Sequence, residues 1–203
     1  MNAAKIRLSE TEQDIVENAG LILTKNAILQ KVNLFLGAIQ MQQREHLQSI
    51  ATILSPSLLS CSPKISRGEN YLGLPYQVLD YPRLFSGKNI IVIRTMFWWG
   101  NFFSVTLQVS GDALHPITDN VITHLQALQQ QGFYFCTSNH AWEHHFGESN
   151  YQQLAGFEST TIRGNVNSNG FLKIAANTGL EKWDQAESIL LGHFKLLVSC
   201  LAT

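Results

Sequence analysis

The chain has 203 residues, a formal net charge of −1 and 14% charged residues, against about a quarter in an average globular domain. Its Lys and Arg residues are scattered, so there is no concentrated basic face for a nucleic-acid duplex, and nucleic acid is not expected as a partner. A polar but weakly charged surface repels its own copies poorly, so a homo-oligomer is a reasonable expectation.

Residues 1–8 are too polar for a signal peptide. Ser9 and Glu12 form a capping box that opens a first helix, and Gly20 offers its stop. A second helix is predicted over about 26–53, where Ile28, Val32, Phe35, Ile39, Ile50 and Ile53 fall on one stripe. Its middle, 40–48, is almost wholly polar and is expected to cross solvent. Residues 27–41 contain Lys31, Asn33 and two glutamines, which argues against a membrane span and against a membrane partner.

Pro56, Pro63, Gly68 and several serines predict a connecting loop over 55–70. A short aromatic strand follows at 76–81, ended by Pro82. The clearest strand pair is 89–98 with 102–110, joined through Gly100-Asn101 as a hairpin turn. The first of these strands is apolar on both faces except at Arg94 and Thr95, the pattern of a central strand.

Pro116, Ile117, Val121, Leu125, Leu128 and Gly132 predict a helix over 116–131 with a glycine cap. Residues 133–138 read as a strand, and two more strands are predicted at 160–164 and 171–176 around Asn169-Gly170. A helix over 179–201 closes the chain, with Thr178 and Glu181 as its capping box. Helices at both ends and an antiparallel sheet between them define an α+β class. The expectation is one domain over 1–203, with a helical N-terminal region at 1–54 and sheet plus packed helices at 71–203.

Three groups of residues could carry chemistry. His140-Ala141-Trp142-Glu143-His144 matches H-x-x-E-H, in which two imidazoles one helical turn apart share Zn²⁺ and Glu143 activates its water. The competing reading puts Trp142 and Phe146, also four apart, on the packed face of a two-turn helix and leaves His140 and His144 in solvent. That second reading is preferred, so no metal or cofactor is expected. Arg67, Arg83 and Arg94 alternate with Tyr76 and Tyr81, and guanidinium forks beside rings suit a small anionic ligand. Arg94 sits in an apolar strand and needs an anionic partner, either a ligand or an internal carboxylate such as Asp80 or Glu69. Phe97, Trp98, Trp99, Phe102 and Phe103 crowd one hairpin tip and are expected to be core. Cys61, Cys136 and Cys200 are odd in number and far apart, which fits a cytoplasmic protein without disulfides.

From about residue 47 onward there follow a helix, a Leu74-Pro75-aromatic step, an apolar strand pair, a helix and the strand at 133–138. This order resembles an uncharacterised family of small bacterial α+β proteins. The resemblance is one of layout, covers about three quarters of the chain, and implies the α+β class with no activity attached. The functional expectation is a non-enzymatic domain that binds a small anionic ligand or a protein partner. The alternative is a metal-dependent hydrolase using His140, Glu143 and His144.

Overall fold

Strand-forming residues from Lys64 onward pair in chain order because each connection is a tight turn. β1 (Lys64–Tyr71), β2 (Leu74–Ser86), β3 (Asn89–Trp98) and β4 (Phe102–Ser110) make an antiparallel meander. The turn between β3 and β4 places Gly100 at φ 70°, a left-handed conformation that glycine adopts without steric cost. β7 (Phe171–Gly179) pairs with β4, then come β5 (Tyr134–Cys136) and β6 (Tyr151–Gln153). The sheet order is β1-β2-β3-β4-β7-β5-β6, all antiparallel, with the predicted hairpin β3–β4 at its centre. The fold is α+β, with helices at both ends of the chain. The structure is a computed structural model and describes residues 6–202, so most of the polar opening segment lies outside the described residues.

The helices are α1 (Glu10–Glu17), α2 (Ala19–Ser49), α3 (Pro56–Ser60), α4 (Leu114–Thr123), α5 (Leu125–Gln130), α6 (Ser159–Asn169) and α7 (Ala186–Ser199). One sheet face carries Leu79, Ile93, Phe103, Val105, Leu107 and Ile174, all fully buried in a single core with α2, α4 and α7. The opposite face is polar at its middle. Cross-strand register aligns Asp80, Arg94, Thr106 and Ala175 in one row, and Arg83, Val92, Gln108 and Lys173 in the next. That face is covered by the irregular segment 137–150. Among the described residues no helix is long and apolar enough to cross a membrane.

Several expectations are corrected. The first helix stops at Asn18, not Gly20; Asn18 then caps α2 by accepting a hydrogen bond from the Leu21 N–H. The polar middle of α2 does not cross solvent. Gln43 is buried and donates from Nε2 to Thr95 Oγ1 at 3.2 Å, which pins the helix to the sheet through a polar contact. The loop predicted over 55–70 contains α3 and the edge strand β1. Pro82 does not end β2: the Tyr81–Pro82 peptide is cis, and a bulge between Asp80 and Arg83 lets the strand continue. The helix over 116–131 breaks at His124 into α4 and α5. Residues 160–164 lie in α6 because Ile162 and Val166, one helical turn apart, are both buried. Thr178 and Glu181 make no capping box; a 3₁₀ turn over Leu180–Gln185 precedes α7.

Candidate functional site

The charged residues that the sheet places under segment 137–150 form one connected cluster. Asp80 and Arg94 face each other across β2 and β3, with Nε to Oδ1 at 2.7 Å and Nη2 to Oδ2 at 2.8 Å. This is a bidentate fork, with side-chain exposures of 16% for Arg94 and 9% for Asp80. The bulge at Tyr81–Pro82 turns Arg83, only three residues on, to the same face. The remaining Arg94 donor, Nη1, lies 3.0 Å from His144 Nε2. An arginine only donates, so Nε2 accepts and the imidazole is the neutral tautomer protonated at Nδ1. Burial pushes the His144 pKa down to about 2, helped by the nearby charges of Lys173 and Arg94.

Lys173 is fully buried on β7 and donates from Nζ to the Glu143 carbonyl. Its ammonium also lies 5.2 Å from the Tyr151 ring centroid. Burial lowers its pKa to about 8. Arg83 Nε is buried with no hydrogen-bond partner among the described residues, and burial raises the Tyr151 phenol pKa while the Thr106 hydroxyl beside it lowers it. Cys136 donates from Sγ to Asn150 Oδ1 at 3.3 Å, and burial raises its pKa.

One hydroxyl does much to hold the covering segment. Tyr71 Oη accepts the His144 N–H at 2.6 Å and the His145 N–H at 3.1 Å, and sits 3.1 Å from His145 Nδ1. With its lone pairs taken, the phenol donates to Nδ1. Phe146 anchors the other end, stacked on Tyr151 at 4.7 Å and edge-on to Phe102 at 5.0 Å. Replacing Tyr71 with Phe is therefore expected to cost about 1–3 kcal/mol, the price of two stranded N–H groups. Amide exchange at His144 and His145 should accelerate while that of β3 stays unchanged. Unchanged exchange at both positions would show that the hydroxyl is not the anchor.

The residues singled out from sequence divide between the two faces. Arg83, Arg94 and Tyr76 lie on the polar face, Tyr76 packed edge-on to Tyr71. Tyr81 is buried in the helix-side core. Arg67 pairs with Gln77 and lines a groove against α2, away from Arg94. The structure does not bring these five together. The expected two-turn helix at 139–147 is absent, so His140 and His144 share no helical face. His140 is exposed, but His144 is packed beneath the segment and not solvated. Trp142, expected in the core, is 50% exposed and stacks on Phe85. Ser138 Oγ donates to Glu143 Oε2 at 3.3 Å. Among the described residues no three His, Cys, Asp or Glu side chains converge as a metal would require. No family model, curated protein or solved structure matches this chain.

A second region stands out by exposure. Among the described residues, nine of the thirteen exposed large apolar side chains lie before residue 42, although that stretch is about a fifth of the chain. No residue of α1 is buried, and in α2 the first buried residue is Leu29. Val16 and Leu23 are each 68% exposed. This arm borders a groove of about 750 Å³ lined by Leu21, Lys25, Ile28, Leu74, Pro75 and Trp99. The hairpin-tip rings Phe97, Trp98 and Phe103 are buried as expected, while Trp99 is half-buried beside this groove. The arm's exposure is not evident from the helix stripe alone. Its signal was the apolar run Leu21-Ile22-Leu23 beside Ile15-Val16, which cannot all face one side of a helix.

Proposed function

We propose that this protein is a non-enzymatic interaction domain whose N-terminal arm, α1 with the start of α2, docks on a protein partner. The observation that carries this reading is the concentration of exposed apolar side chains on that arm. Monomeric proteins scatter such residues singly and keep their largest apolar patch to about 300–600 Å². The partner reading is preferred to a small anionic ligand because Arg94, the foremost anion donor in the sequence, spends Nε and Nη2 on Asp80. It is preferred to the hydrolase because, among the described residues, no three His, Cys, Asp or Glu side chains converge on a metal position, and His144 Nε2 already accepts from Arg94.

A photo-activated phenylalanine analogue at Val16 is expected to give a covalent adduct with protein in living cells. The same probe at Asn167, exposed on α6, is the control and should give none. Equal yields at the two positions, or none at Val16, would end the proposal.

A further inference from the structure

We infer that the partner of the N-terminal arm is a second copy of this chain, each copy laying its arm in the other's groove across a two-fold axis. This rests on the interaction reading above and names its partner. Three observations carry it, the first being self-complementarity. One chain presents both an unpartnered apolar ridge, α1, and an apolar groove bordered by Ile28, Leu74, Pro75 and Trp99. A two-fold covers both features at once, since residue i of one copy meets j of the other and j meets i. The two features also adjoin: Asn18, Gly20 and Leu21 belong to the arm and line the groove. Reciprocal docking therefore makes one continuous interface.

The second observation is apolar surface. Seven large apolar side chains are exposed between Ile6 and Leu23, and those on the docking side, together with the groove lining of the other copy, supply the apolar centre that a stable interface needs. The third is charge. α1 carries Glu10, Glu12, Asp14 and Glu17 with no basic residue. The lining of the groove holds Lys25 and no carboxylate; the Glu69 carboxylate that pairs with Lys25 at 2.8 Å lies outside it and is exposed. An acidic ridge entering a groove whose lining holds a lysine and no carboxylate is favoured over two acidic surfaces meeting.

Sedimentation equilibrium of the full chain at about 50 μM should give twice the chain mass of 22.7 kDa if the interface is of standard size. Ile15 and Val16 are exposed, so the double variant Ile15→Asp, Val16→Asp should keep the wild-type circular dichroism. Its dissociation constant should rise about 100-fold or more, since two apolar side chains lose their burial and carboxylates replace them. Leu74→Asp in the groove should weaken self-association likewise. If that variant does not fold, Lys25→Glu on the rim reads the same contact through charge. An equimolar mixture of the arm variant with the groove variant retains one intact contact and should form dimers where neither does alone.

A monomeric wild type at 50 μM overturns the second copy as partner, as does a dimer that the arm variant leaves unchanged. With a monomeric wild type, a Val16 adduct to a different protein keeps the interaction reading and removes only the self-association. No adduct of any mass removes both.

Discussion

Replacing Asp80 with Ala is expected to destabilise the fold by about 3–5 kcal/mol, the cost of stranding one member of a buried ion pair. The guanidinium of Arg94 donates two hydrogen bonds to Asp80 and one to His144, and is covered by segment 137–150. Water cannot take over the carboxylate's role without that segment lifting. Arg94→Met should also destabilise, because it leaves the buried Asp80 carboxylate without its bidentate partner. The pair itself need not be stabilising, since its desolvation offsets most of the attraction. The double variant Asp80→Leu, Arg94→Met should therefore recover most of what either single change loses. Denaturant titrations of the four proteins give the comparison. A single Asp80→Ala loss below about 1 kcal/mol, the range of surface pairs, would mean the fork is solvated in solution.

Arg94 shows where the sequence was readable. A charge in a strand otherwise made of Ile, Val, Met and Phe has to be neutralised, and Asp80 was one of two internal carboxylates within reason. Lys173 carries the same signal, since it stands in Phe171-Leu172-Lys173-Ile174-Ala175, a run buried from end to end. The partnership of Lys173 with the Glu143 carbonyl could not be read, because an irregular segment 30 residues away supplies the acceptor.

The hairpin β3–β4 was legible because side-chain period, turn composition and length agree there. β1 was missed because an edge strand buries little: Lys64, Arg67, Glu69 and Asn70 give it a loop's composition. α6 was misread because its sequence, Ser-Thr-Thr-Ile-Arg-Gly-Asn-Val-Asn-Ser-Asn, is poor in helix formers. Two buried residues one turn apart decided it through tertiary packing. Segment 137–150 has no period at all. Its path follows from Tyr71, Lys173, Asn150 and Phe146, contacts that exist only once the sheet has formed.

The neutral state of His144 gives the protein an acid-sensitive joint. Its pKa falls from an ordinary 6.5 to about 2 in the fold, first through burial, then through Lys173, Arg94 and His145. Tyr71 packs against the ring at 5.6 Å, Asp80 is engaged by Arg94, and the neighbouring Glu143 carboxylate, which accepts from Ser138, faces Lys173. Between pH 6.5 and 2 the unfolded chain binds a proton at this site and the folded chain does not. Stability contributed here is therefore full above pH 6.5 and is lost as the pH falls, by up to about 1.4 kcal/mol per unit. His46 and His193 are also shifted down by burial and add to the same limb, so the single site must be isolated by difference. His144→Gln removes the titrating group while an amide oxygen can still accept from Arg94. Between pH 6.5 and 4.5 wild type should lose about 2–3 kcal/mol more than this variant, measured by denaturant unfolding across that range. Parallel pH profiles for the two proteins would show that protonated His144 is accommodated in the folded state, by segment 137–150 lifting away from the sheet.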